Sequence, residues 1–130
     1  MPSAANIVIY QGDDFHAVVT VTDDDGSPAD LTGYEAHAEI RVGPASQHPQ
    51  PVTKIFTTIA GANIELEIPA AITVQLVGQY LWDLELISSV GIITTIIAGS
   101  VGVTPQITVT TPPPLTRRQT AEQNTPYSQA

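Results

Sequence analysis

The sequence has no cysteine, few charged residues and few aromatic ones. The absence of cysteine excludes a disulfide framework, a thiolate metal site and a cysteine nucleophile. The longest apolar stretches are short and are interrupted by Thr, Gly or Ser, so no membrane-spanning segment is predicted. The start of the chain has neither the basic residues nor the apolar stretch of a secretory signal. We therefore expect the protein to be made and used without export by that route.

Basic residues are also scarce, and their distribution is uneven. Residues 1–104 contain twelve carboxylates against only Arg41 and Lys54. Residues 105–130 contain Arg117 and Arg118 against Glu122. A body this acidic is repelled by phosphate backbones, so no nucleic-acid partner is expected for it.

β-Branched residues, by contrast, are abundant: 14 Ile, 12 Val and 16 Thr among 130 residues. Such side chains lose rotamer freedom in helices and pack well on a pleated sheet. With 9 Gly and 11 Pro as breaks, the composition predicts an all-β domain. Alternation of apolar and polar residues predicts seven or eight short strands, as expected for an antiparallel β-sandwich. The predicted strands lie at 6–10, 15–22, 34–42, 52–59, 64–68, 79–87 and 92–103.

Turn residues separate these strands. The run from Asp23 to Pro28 predicts a turn, because Asp bonds its own backbone and Gly adopts positive φ. Pro69 is expected at the first position of a short helical turn, and Gly99 and Gly102 at bulges or bends of the last strand. The expected core comprises Phe15, Val19, Val21, Tyr34, Ile40, Leu66, Tyr80, Trp82, Leu84 and Leu86.

The composition changes at Pro105. Five of the eleven prolines lie in 105–130, and the segment is otherwise mostly Thr, Gln, Asn, Ser and Ala. Such a segment cannot bury enough apolar surface to order alone. We therefore divide the chain into a sandwich domain, 1–104, and a Pro/Thr-rich segment, 105–130, that is either a disordered tail or an extended arm ordered on another subunit.

The aspartates form the best candidate metal site in the sequence. The run Asp23-Asp24-Asp25, with Asp30 and Asp13-Asp14, offers oxygen ligands of the kind calcium prefers. It lacks the spacing of an EF-hand, however, and the turn accounts for it fully. We expect no metal and no cofactor, and Asp23, Asp24 and Asp25 should tolerate conversion to Asn or Ser.

Other polar residues give weak signals for catalysis. His16, His37 and His48 lack zinc-motif spacing and are expected on the surface. Asp83 and Glu85 share a strand face, as acid–base pairs do, but Glu65 and Glu67 repeat the pattern on what is expected to be a solvated face. The sequence has no nucleophile elbow and no phosphate-binding loop, so no catalytic residue is assigned and an enzyme is not expected.

Several segments together resemble a group of small structural domains of tailed bacteriophages. The resemblance covers about residues 7–104. It rests on turn residues, on a strand that ends in Ile40-Arg41, and on an aromatic strand. The segments that carry it are Gln11-Gly12-Asp13-Asp14-Phe15, Asp25-Gly26-Ser27-Pro28-Ala29-Asp30-Leu31-Thr32-Gly33-Tyr34, Ile68-Pro69-Ala70, Gly78-Gln79-Tyr80-Leu81-Trp82-Asp83-Leu84-Glu85 and Gly99-Ser100-Val101-Gly102-Val103.

The resemblance implies an immunoglobulin-like sandwich that is a building block of the virion and has no catalytic activity. The leading hypothesis is a capsid decoration (cement) protein, since the chain ends after a short tail and does not continue into a receptor-binding part. The alternative is a baseplate, neck or tail-fibre attachment adaptor; a carbohydrate-binding or enzymatic sandwich comes third. The implied partners are capsid or tail proteins and further copies of this chain, a trimer among the options.

The tail is predicted to make the contacts with the particle. Its alternating start would add a strand to a neighbouring sheet edge, the proline run would keep an extended course, and the arginine pair would dock on an acidic surface. The residues assigned to this interface are Ile107, Val109, Pro112, Pro113, Pro114, Arg117 and Arg118.

Overall fold

The computed structural model describes residues 3–44, 46–47, 50–108 and 112–124. These residues form a mostly β structure, as predicted, with eight strands and two short helices. None of the helices in the described ranges is long and apolar enough to cross a membrane. The elements are β1 (Ser3–Ala4), β2 (Ile7–Tyr10), β3 (Phe15–Thr20), β4 (Glu35–Arg41), β5 (Thr53–Ala60), β6 (Asn63–Ile68), α1 (Ala70–Thr73), β7 (Gly78–Ile87), β8 (Ile93–Thr104) and α2 (Arg117–Asn124).

The strands form one curled sheet in the order β1-β8-β7-β4-β5-β6-β3, with β2 continuing beside β8 after β1. β5 links the two halves of the sheet: Thr53–Ile55 pair with β4, and Phe56–Ala60 pair with β6. The chain passes from β2 at one edge of the sheet to β3 at the other through only four residues, 11–14. A connection this short requires the sheet to curl until its two edges approach each other.

A wholly antiparallel sheet was expected, but the described sheet also contains parallel pairs. β1 and β2 run parallel to β8, in the register Ser3↔Ile97 and Ile7↔Val101. Parallel neighbours need a long connection between them, and here nearly the whole body separates the two strands. Periodicity along the chain carries no information on such a pairing.

The core lies within the curl and is built from alternate residues of the strands. Ile40, Leu66, Trp82, Leu84 and Leu86 are buried, as predicted. Phe15, Val19, Val21 and Tyr80 are partly buried and pack against this core.

Tyr34 was expected in the core and is instead 39% exposed. In a continuous strand Tyr34 would point to the same face as the buried Ala36. However, β4 begins only at Glu35, which lies opposite Ile87. Tyr34 therefore lies beyond the last paired residue, where no neighbouring strand covers its ring.

Gly99 and Gly102 were predicted at bulges or bends of β8, and the bulge lies at neither of them. The register between β7 and β8 shifts at Leu84/Glu85, which pair with Ile97 and Thr95, so the extra residue of the bulge is Ile96. Gly99 instead makes room for the N-terminal strand, because a Cβ at position 99 would collide with the carbonyl group of Ala5.

Candidate interaction surfaces

The residues assigned to the interface occupy different environments along the C-terminal segment. Ile107 is 95% exposed, Pro112 is half-buried, and Pro113 and Pro114 are exposed. Arg117 and Arg118 are both exposed, at the start of α2. Val109 lies outside the described residues, with the second half of the predicted strand addition, as does His48.

The segment is not extended throughout, because residues 117–124 form α2. A capping box starts this helix: the Gln119 amide N–H donates to Thr116 Oγ1 (3.1 Å), and Gln119 Oε1 accepts from the Thr116 amide (3.0 Å). Ser or Thr followed three residues later by Glu or Gln is a readable sequence signature of a helix start. The sequence analysis missed it among the polar residues.

Gln123 joins α2 to the body, and the sequence analysis did not single it out. Its Oε1 accepts from the Lys54 amide (3.3 Å) and from Thr53 Oγ1 (3.2 Å), while its Nε2 donates to the Lys54 carbonyl (3.1 Å). The carboxamide thus bonds both backbone groups of Lys54, as a neighbouring strand would. No local signal distinguishes this glutamine from the others in the segment.

The backbone groups of Lys54 need such a partner because β6 ends early. In the β5–β6 register Phe56 lies opposite Glu67, so Lys54 would lie opposite Pro69. Proline has no backbone N–H and cannot continue a ladder. On the side that faces β6, the β5–β6 ladder therefore does not extend to Lys54. Gln123 supplies the hydrogen bonds there instead.

The tail is joined to the body a second time near its start. The Gln106 amide donates to Gln11 Oε1 (3.0 Å), and Gln11 Nε2 donates to the carbonyls of Val74 and Leu76 (3.2 and 3.1 Å). The side chain of Gln11 therefore ties the first residues of the tail to the loop after α1.

The turn at Gln11–Phe15, which contributes to the phage resemblance, also holds the start of α1. Pro69 is the N-cap residue of this helix, not its first helical residue, and gives no side-chain cap. Asp14 Oδ1 instead accepts from the Ala70 amide (2.8 Å), and Thr73 Oγ1 donates to the Asp13 carbonyl (2.7 Å).

The other segments that carry the resemblance have similar structural roles. Asp30 Oδ1 accepts from the Thr32 amide and hydroxyl. Tyr80 Oη accepts from the Val77 amide (3.1 Å). Trp82 is buried, and its Nε1 donates to the Ala5 carbonyl (2.9 Å).

Asp25, in the candidate metal run, likewise acts in its turn. Its Oδ1 accepts from the Ser27 amide (2.9 Å), and this hydrogen bond lowers the pKa of the carboxyl. Gly26 has a φ of 86°, as predicted. Among the described residues, no group of three or more His, Asp or Glu side chains is arranged to hold a metal ion.

A cleft of about 620 Å³ lies over the outer face of β4, β7 and β8 and is lined by acidic and apolar residues. Glu39 lies directly opposite Asp83, and His37 opposite Glu85. Like charges in facing positions destabilise a sheet, and the ion pair from Arg41 Nη2 to Glu39 Oε1 (2.7 Å) offsets part of this repulsion.

Burial and neighbouring carboxylates change the titration of this face. Burial raises the pKa of Asp83 and of Glu85; Glu39 adds to both effects, and Arg41 opposes them. His37, predicted on the surface, has a side chain only 11% exposed, with Nε2 3.3 Å from Glu35 Oε2. Its burial lowers its pKa in spite of the attraction of Glu35. His16 is exposed, as predicted.

Comparison of the sequence with models of known protein families found no matching family, and comparison with curated proteins found no similar sequence.

Proposed function

We propose that this protein is a structural protein of a tailed-bacteriophage virion, and specifically a decoration protein that binds the capsid through its body and its C-terminal segment. The observation that carries the proposal is that residues of the segments resembling phage proteins make structural hydrogen bonds. Asp14, Asp30, Tyr80 and Trp82 all hold turns, a helix start or an edge strand in place. Hydrogen bonds that hold turns, a helix start and an edge strand in place are what a building block of an assembly needs.

The strand order supports the immunoglobulin-like part of the proposal. β3, β6 and β5 follow one another as strands B, E and D do, and β4, β7 and β8 follow one another as C, F and G do. Two features depart from the simplest form of that fold: β5 joins both halves, and the N-terminal strands pair with β8. We propose that the curled sheet is an immunoglobulin-like sandwich with its two halves joined along β5.

The C-terminal segment supports a role in binding. Ile107 is almost fully exposed, and Arg117 and Arg118 stand exposed on a chain whose body is strongly acidic. Exposed cations on a tethered segment steer association with acidic protein surfaces. An acidic shell protein would carry the charge opposite to that of Arg117 and Arg118.

The direct test is to purify particles from cells that encode this chain, separate heads from tails, and detect the chain in each fraction by mass spectrometry. Detection with heads is the expected result. Detection with tails alone would favour the baseplate, neck or fibre adaptor, and absence from both fractions would contradict a virion role. A variant truncated after Pro105 then tests the segment: it should fold but fail to rebind heads stripped of the protein.

The cleft gives a specific reason to test the third hypothesis, a carbohydrate-binding or enzymatic domain. Carboxylates with raised pKa values in a cleft are a feature of many active sites, and Asp83 and Glu85 have this property here. A glycan array and a panel of glycoside substrates, with Asp83→Asn as the control, would reveal such an activity. Binding or hydrolysis that the substitution abolishes would favour this function over the decoration role.

A further inference from the structure

We propose that α2 is exchanged between neighbouring copies of this protein, so that Gln123 of one copy bonds the β5 edge of the next. The inference deepens the proposed function, on which it rests for the setting of the exchange, by naming a second copy of this chain as the partner of the tail. It begins with the edge itself: Lys54 would face Pro69 if the β5–β6 ladder continued, so this backbone needs a partner from elsewhere.

The occupant of this edge is identified by the chain's own contact. The carboxamide of Gln123 accepts from the Lys54 amide and donates to the Lys54 carbonyl. The single hydroxyl proton of Thr53 is shared between Gln123 Oε1 and the Lys54 carbonyl. The same atoms are present in every copy, so α2 of a neighbour would make the same hydrogen bonds without any new surface.

Little in the composition of α2 favours its own body over a neighbour's. In the sequence of Arg117–Asn124, Ala121 is the one apolar residue. A helix without an apolar stripe gains little from packing on a hydrophobic surface. The choice between the two bodies therefore depends on the reach of the connecting segment and on the effective concentration of neighbouring edges.

The connecting segment is long enough to reach a neighbour. Ten residues lie between Gln106, which is bonded to Gln11, and Arg117. Extended at about 3.1–3.5 Å per residue, they span roughly 30 Å. A body of about 100 residues has a radius of gyration of about 13 Å, which for a sphere means a diameter of roughly 34 Å. The segment therefore reaches the near side of an adjacent body but does not cross one. In an assembly that holds copies side by side, exchange becomes competitive.

The absence of cysteine allows an unambiguous test on the full-length chain. One preparation carries Thr120→Cys, on an exposed position of α2 that leaves Gln123 intact, and the other carries Val52→Cys, on an exposed position beside Thr53. The two are mixed at increasing concentration and treated with a bismaleimide crosslinker. Because a bismaleimide also joins copies that collide at random, a crosslink between these two preparations is assigned to α2 of one copy on the β5 edge of another only where its yield depends on Gln123.

We expect a mixed dimer whose yield rises with concentration and falls at least fivefold when Gln123→Ala is added to the Thr120→Cys chain. Gln79→Ala, an exposed glutamine away from this edge, is the matched control and should leave the yield unchanged. A chain carrying both cysteines shows that the probes lie within crosslinking reach. If that chain crosslinks only within itself at every concentration, and the mixture gives no dimer, the exchange is wrong.

The same experiment separates this inference from the proposed function. A chain found on virions whose tail crosslinks only within one copy would overturn the exchange and leave the virion role standing. A concentration-dependent mixed dimer from a chain that is absent from virions would support the exchange and overturn the virion role.

Discussion

The body and the C-terminal segment are held by different kinds of interaction. In the body, strand ladders surround a core in which Ile40, Ile64, Ile68, Leu84 and Val101 are fully covered. The described tail is joined to that body through glutamine side chains, at Gln106–Gln11 and at Gln123–Lys54. Burial of apolar surface supplies most of the free energy of folding, whereas single hydrogen bonds contribute about 1 kcal/mol each. The body should therefore fold without the tail, and the tail is the part that can change partners.

The largest expected effect is in the core of the body. Trp82→Ala removes a buried ring and should lower the free energy of unfolding by about 3–5 kcal/mol, measured by denaturant titration. Trp82→Phe keeps most of the packing and loses the hydrogen bond to the Ala5 carbonyl, so its loss should be clearly smaller. An unchanged unfolding midpoint for Trp82→Ala would contradict the proposed core.

The second effect tests where the body is weakest. Gly99→Ala places a methyl group against the Ala5 carbonyl and should cost about 1–3 kcal/mol, with faster amide hydrogen exchange in β1 and β2. Gly102→Ala is the matched control on the same strand, since its Cβ would meet only Gln79 Nε2, at an ordinary 3.6 Å. Equal losses for the two variants would show that Ala5 does not lie against position 99.

The third prediction concerns the turn between β2 and β3, which holds the start of α1. Asp14→Ala removes the acceptor of the Ala70 amide and should cost about 1 kcal/mol, as the loss of a helix cap does. Asp13→Ala is the control, because Asp13 acts there through its backbone carbonyl. If thermal unfolding shows the same loss for both, the side-chain cap is unimportant.

The fourth prediction uses the titration of the outer face. The folded state binds the Asp83 proton more tightly than the unfolded chain does, since burial raises this pKa. The contribution of Asp83 to stability is therefore largest at acid pH and is lost as the pH rises from about 4 through the raised pKa. Asp83→Asn should therefore raise the free energy of unfolding at pH 7 and leave it unchanged near pH 3. Glu67→Gln, on an exposed position, is the control and should show no such gain in stability. If Asp83→Asn stabilises the protein equally at every pH, the raised pKa of Asp83 is not the cause.

The last prediction tests the comparison between the body and the tail directly. Truncation after Pro105 removes the Gln106 and Gln123 contacts but no buried strand. The free energy of unfolding should change by less than about 2 kcal/mol, and exchange at the Lys54 amide should become faster. A truncated chain that fails to fold would show that the tail is part of the body.

The sequence alone determined seven of the eight described strands, β2 to β8, and their bounds are within about two residues of those predicted; β1 was not predicted. This is because alternation, turn residues and β-branched composition are local signals, readable wherever one face of a strand is buried. The same holds for the Asp25 turn. The capping box at Thr116–Gln119 is local too, and could have been read.

Only the tertiary structure decided which distant groups meet. The parallel pairing of β2 with β8, the cap from Asp14 to Ala70 and the bond from Gln123 to Lys54 join residues more than fifty positions apart. Tyr34 lost its predicted burial for a related reason, because burial depends on where the neighbouring strand ends. Backbone groups left open by a proline or a strand end take whatever partner the folded chain brings near, and no period along the sequence records that choice.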